Sequence, residues 1–175
     1  MNKLKKTFLL TFVLLLSLAG FAEAKNYWYS PLTAIAHATA GHPLKISVQE
    51  HYSPPSALQI TADQTVEDGD PQWVLLGLTV PSGTLKNLKI CYEVVTNSPG
   101  TTYISQVRLA EMTTPDSALV IHDDSTDLTD TSPTCYKSLI DDEKVNGTIT
   151  LALRVVFGST DDMILIGGIK LQVAR

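Results

Sequence analysis

One run of this 175-residue chain concentrates the side chains that do chemistry: His122-Asp123-Asp124-Ser125-Thr126-Asp127-Leu128-Thr129-Asp130. Four carboxylates this close repel one another unless water or a cation lies between them. Calcium takes six to eight oxygen ligands, and a loop of Asp, Ser and backbone carbonyls can supply several. The candidate calcium ligands are therefore Asp123, Asp124, Ser125, Asp127 and Asp130. The spacing is not that of an EF-hand. With Asp123, Ser125 and Asp127 as alternating ligands, Leu128 stands where that loop needs glycine, and no glutamate follows at the closing position. The competing reading is a solvated acidic loop between two strands, its Asp and Ser side chains bonded to nearby backbone.

His122, Asp123 and Ser125 are also the residue types of a nucleophilic triad. Neighbours along a strand point to opposite faces, however, so adjacency does not build one. Neither a G-x-S-x-G elbow nor an H-E-x-x-H motif is present. His37, His42 and His51 are scattered, with His37 and His42 five apart across Gly41, which is not ligand spacing on a regular element. Asp141-Asp142-Glu143 and Asp161-Asp162 read as solvated turns. No catalytic residue is assigned. A secreted hydrolase using His122 and nearby carboxylates stays as an alternative.

Aromatic residues offer a binding surface instead. Tyr27-Trp28-Tyr29 precedes Ser30-Pro31, and Tyr52 precedes a proline pair. Exposed Tyr and Trp anchor sugars and protein partners because they give large contact area at small entropic cost. The candidate ligand-binding residues are Tyr27, Trp28 and Tyr29. The competing reading is a first strand packed on the rest of the domain with Trp28 buried. Trp73 opens an apolar strand and is expected in the core. Arg108 and Arg154 sit within strands and are expected to pair with Glu93 or Glu111.

The elements that must position these residues start after an export signal. Lys3, Lys5 and Lys6 precede an apolar run from Phe8 to Phe21 that closes on Ala22-Glu23-Ala24. That is a signal peptide over 1–24, shorter than a membrane span and ending in a cleavage pattern. Its removal takes the net charge from −5 to −7. An acidic domain excludes nucleic acid and anionic membranes as expected partners. No second apolar span follows, so the protein is expected in the periplasm or outside the cell. In either oxidising compartment Cys91 and Cys135 are expected to form one disulfide.

Over 25–175 the pattern has period two. Ile149, Leu151, Leu153, Val155 and Phe157 alternate with smaller or polar residues, as a half-buried strand requires. Strands are also expected at 44–48, 58–61, 73–80, 88–94, 103–109, 119–122 and 163–173, with 73–80 and 163–169 apolar on both faces. Pro54-Pro55, Gly69-Asp70-Pro71, Pro81-Ser82-Gly83 and Ser98-Pro99-Gly100 punctuate them. Asn146-Gly147 reads as a hairpin turn, and Gly167-Gly168 as a bulge or close backbone approach. A helix is expected only around Leu32–Thr39. These signals give an all-β fold: an antiparallel, jelly-roll-like β-sandwich of about eight strands, one domain with a looser N-terminal arm over 25–71.

The Leu78-Thr79-Val80-Pro81-Ser82-Gly83 turn followed by long paired strands resembles jelly-roll and lectin-like modules of secreted bacterial proteins. The resemblance implies architecture. The functional expectation is an exported, non-catalytic binding or structural module, recognising glycans or an envelope protein. A structural homo-oligomer pairing through 163–173 is the remaining alternative.

Overall fold

Period-two patterning is realised as twelve antiparallel strands among the described residues, which in this computed structural model are 23–36, 43–49, 57–70, 72–114 and 116–175. Most of the signal segment, together with His37, His42, His51 and Tyr52, lies outside them. In chain order the strands are β1 (Ala24–Tyr29), β2 (Ile35–Ala36), β3 (Leu44–Val48), β4 (Leu58–Ala62), β5 (Gln72–Thr79) and β6 (Gly83–Val95). They continue as β7 (Tyr103–Thr114), β8 (Ser117–Asp124), β9 (Thr134–Leu139), β10 (Lys144–Val145), β11 (Thr148–Val156) and β12 (Met163–Ala174).

They form two sheets. Sheet A runs β10-β6-β12-β4-β3, with β9 beside β10 on β6 and β1 beside β4 on β12; sheet B runs β2-β5-β11-β7-β8. From β4 to β7, and again from β10 to β12, successive strands alternate between sheets, which is the jelly-roll-like wrapping. The alternating side chains meet between the sheets. Leu85, Leu88, Ile90, Ile166, Ile169 and Leu171 of sheet A face Val74, Leu76, Leu109, Leu151 and Leu153 of sheet B, all fully buried.

Several expectations are corrected in detail. The strands number twelve rather than about eight, because β1, β2, β9 and β10 carry no apolar alternation. The helix expected around Leu32–Thr39 is a single 3-10 turn, Pro31–Thr33, capped by the Ser30 hydroxyl and followed by β2; residues 37–39 lie outside the described set. Leu44, Leu58, Ile60 and Val66, from the stretch read as an arm, belong to the same core as the later strands. Asn146-Gly147 does not close a hairpin. It carries the chain from β10 in sheet A to β11 in sheet B, with Gly147 at φ +146°. β12 has no free edge along most of its length, since β6 lies on one side and β4 and β1 on the other. Pairing between chains through 163–173 therefore has no backbone groups left to use.

Gly167-Gly168 does mark a bulge, with the β12–β6 register shifting between Ile166 and Ile169. Cys91 and Cys135 are directly opposite on β6 and β9 and form the disulfide, on the solvent side of sheet A. Among the described residues no helix is long and apolar enough to cross a membrane.

Candidate functional site

The five candidate ligands of the acidic loop diverge. Alternation at the end of β8 turns Asp123 outward, where Arg108 bonds it at 2.9 Å and Gln106 at 2.5 Å on the outer face of sheet B. Asp124 turns inward, toward β9. Asp130 accepts the Tyr92 hydroxyl at 3.0 Å, beneath the end of β6. Ser125 and Asp127 are exposed. Between them Leu128, only 2% exposed, plugs the core and bonds Ile104 on β7 through its backbone. That anchor fixes the loop and keeps the carboxylates apart. Among the described residues no three His, Cys, Asp or Glu side chains converge as metal ligands would.

Inward-turned Asp124 organises a polar cluster between the edges of the two sheets. Its Oδ2 accepts the Tyr136 hydroxyl at 2.7 Å and the Ser138 hydroxyl, and its Oδ1 accepts the Thr126 N–H at 3.0 Å. Burial raises the carboxyl pKa, but the bonds from Ser138, Tyr136 and Thr126 outweigh it and hold the group down at about 2. His122 Nε2 lies 2.7 Å from Ser138 Oγ. A serine, a histidine and an aspartate thus meet, but in the wrong order for nucleophilic attack. Ser138 already gives its proton to Asp124, so His122 must donate to Ser138 rather than accept from it. Ser138 is also 2% exposed. The cluster joins β8 to β9 and offers no activated oxygen to solvent.

Of the three aromatic candidates, β1 separates one from two. Tyr27 and Tyr29 turn inward against the core, and Tyr29 donates to the Thr79 carbonyl at 2.9 Å. Burial pushes its phenol up to about 12. Trp28 turns outward and is 63% exposed. Its indole lies over Gly168, where an added Cβ would stand 3.3 Å from the ring, and Lys170 sits 5.5 Å from the ring centroid. The bulge at Gly167-Gly168 leaves this part of β12 without side chains, so a flat aromatic can lie on the backbone. Beside it is a shallow hollow of about 340 Å³ lined by Gln49, Glu93, Leu165, Gly167 and the Cys91–Cys135 disulfide.

Neither a protein-family model nor a curated protein sequence matches the chain. Solved structures do match its fold. The CBM22-1 xylan-binding domain of a Paenibacillus barcinonensis protein superposes with a TM-score of 0.53 at 10% identity, covering 89% of this chain and 99% of that one. The CBM36-1 domain of a multidomain xylanase from the hindgut metagenome of Trinervitermes trinervoides gives 0.52 at 12% identity, covering 86% and 99%. A family 29 carbohydrate-binding module gives 0.50 at 13% identity, covering 87% and 90%. The chain shares the β-sandwich fold of these modules.

The outer face of sheet B carries features that the sequence reading placed elsewhere. Val74, Leu76 and Leu78 face the core, so Trp73 and Leu75 must face out. Trp73 is therefore half-buried on the surface rather than in the core, its ring covered by the Arg108 guanidinium at 5.1 Å. Arg108 pairs with Asp123, and Arg154 with Asp68 at 3.2 Å, not with Glu93 or Glu111. A hollow of about 260 Å³ lies among Trp73, Leu75, Arg108 and Ala152. The acidic pair Asp161-Asp162 is also divided. Asp162 is 2% exposed and accepts the buried Thr102 hydroxyl at 2.5 Å, which ties the β11–β12 turn to the start of β7.

Proposed function

We propose that the chain is an exported, non-catalytic module that binds glycans on the outer face of sheet A, with Trp28 as the platform for a sugar ring. The observation that carries this reading is the orientation of Trp28. A large aromatic is held against Gly168 with most of its surface in water, although turning it inward like its neighbours would bury it. Sugar rings present C–H faces that pack on such a surface while their hydroxyls stay solvated. The adjoining hollow, with Gln49 and Glu93 on its rim, supplies hydrogen-bonding groups beside the platform. The neighbours' fold supports the class, since they are carbohydrate-binding modules, one of them xylan-binding. The binding of the Ser138 proton to Asp124 supports the absence of hydrolysis. Export rests on the segment 1–24 and on the disulfide.

Affinity electrophoresis of residues 25–175 through gels containing soluble xylan, galactan or glucan tests it. At least one polysaccharide should retard the wild-type protein, and Trp28→Ala should restore free mobility. Retention unchanged in Trp28→Ala would place binding elsewhere, and no retention by any glycan would end the proposal.

A further inference from the structure

Sheet A places side chains on its outer face in register rows, and one row differs from the rest. Trp28 on β1 is opposite Lys170 on β12, Lys170 is opposite Lys89 on β6, and Lys89 is opposite Lys137 on β9. Residues directly opposite in an antiparallel sheet put their side chains on the same face. Here that face is the outer one, because Ile90, Leu88, Ser138, Ile169 and Leu171 on either side of the row are buried. Like charges directly opposite destabilise a sheet. Lys45, Lys86, Arg108 and Arg154 each have a carboxylate within 4 Å, while Lys25, Lys144 and Arg175 have none among the described residues but are not set opposite another cation. Lys89, Lys137 and Lys170 have no such carboxylate among the described residues. The chain as a whole is acidic, with a net charge of −5, so three adjacent unpaired ammonium groups are a local departure from its surface.

We infer that this row selects an anionic glycan, a polymer whose sugars carry carboxylates, laid across the strands from Trp28 toward Lys137. The inference rests on the glycan-binding reading and narrows it. Neighbouring strands are about 4.8 Å apart, which is close to the length of one hexose unit in an extended chain. A polyuronate lying along the row would therefore bring successive carboxylates near successive lysines while one ring packs on Trp28. Lys170 links the aromatic platform to the charged row, since it already lies against the indole. Each exposed ion pair is weak by itself, and the row gains affinity by adding three.

The test is calorimetric titration of residues 25–175 with polygalacturonate, with the same polymer fully methyl-esterified, and with neutral xylan and galactan. Binding of polygalacturonate is expected, with marked weakening on esterification and with added salt. Lys89→Gln/Lys137→Gln/Lys170→Gln should lose about tenfold in affinity for polygalacturonate. An unchanged Tm in that variant shows that the loss is not unfolding, and Trp28→Ala is the companion variant on the platform. Equal binding of esterified and free polymer, or Trp28-dependent binding of neutral glycans alone, would overturn the inference and leave the glycan-binding reading intact. Binding to no polysaccharide would overturn both. Equally strong, lysine-dependent binding to single-stranded DNA or to phosphatidylglycerol vesicles would make the row a general anion surface and also overturn it.

Discussion

Breaking the disulfide is the perturbation whose size follows most directly from the structure. Cys91 and Cys135 are 44 residues apart in sequence, and the segment they close contains the end of β6, both strands of the β7–β8 hairpin and the acidic loop. In the chain-entropy treatment, a loop of that length limits the unfolded state by about 4 kcal/mol. For a domain of about 150 residues, each kcal/mol moves Tm by about 2–4 °C, so the change should be about 8–16 °C. The structure also says where the loss should appear first. Among the described residues β9 pairs only with β6, and it is otherwise held by the Asp124 cluster and the disulfide. Cys135 is exposed, so a mild reductant reaches it without unfolding the domain. The assay is calorimetric melting of oxidised, reduced and Cys91→Ala/Cys135→Ala protein, with amide exchange followed along β9. The double variant should match the reduced protein, and amides of Thr134–Leu139 should lose protection ahead of those in β11. A reduced protein melting within about 3 °C of the oxidised form would refute the loop argument. Uniform loss of protection across both sheets would refute the local one.

Asp124 should show as acid sensitivity. Its folded pKa of about 2 lies below the ordinary carboxylate value, so its contribution is present above about pH 4 and is lost as pH falls toward 2. Solvent screening reduces a ceiling of about 2.5 kcal/mol to about 1 kcal/mol, and urea unfolding of Asp124→Asn should lose that much of the wild-type pH dependence in this window. Gly168→Ala brings a Cβ to 3.3 Å from Trp28, so the ring must lift. Glycan affinity should fall several-fold with Tm within about 2 °C, as no backbone contact is strained. Calcium in excess over chelator should leave Tm unchanged, because Asp123, Asp124 and Asp130 are bonded in three directions; a rise of several degrees would show that the loop rearranges around the ion.

The long strands were legible because their apolar residues either alternate or run together between turn residues. Ile149, Leu151, Leu153 and Val155 all lie on one buried face of β11, as their spacing requires. β9 was not, because its inward residues are Tyr136 and Ser138, and their partners across the sandwich edge, His122 and Asp124, are polar too. A buried polar cluster removes the signal that periodicity depends on. Trp73 was misplaced by its hydrophobicity, although the parity of Val74, Leu76 and Leu78 pointed it outward. In the candidate site Trp28 could be singled out by residue type, but its orientation could not. The lysine row was invisible for a different reason. Lys89, Lys137 and Lys170 belong to distant segments, and only the register of β12 on β6 and of β6 on β9 aligns them.

The pairing of β1 with β12 bears on how the molecule comes into being. Ala24 lies opposite Ala174, so the first strand closes against the last, and the last is also the interior partner of β6. A ribosome or a translocation pore releases β12 after every other strand. Until then β1 has no neighbour in sheet A to dock on, β4 has only β3, and β6 lacks its main partner. Sheet A therefore stays incomplete until β12 has emerged. Closure afterwards joins the most distant segments of the sequence, a topology associated with slow folding. The pairing of Lys25 with Val173 also makes residues 25–175 a candidate for circular permutation, with β1 and β12 linked and the break moved to an exposed turn such as Ser98-Pro99-Gly100.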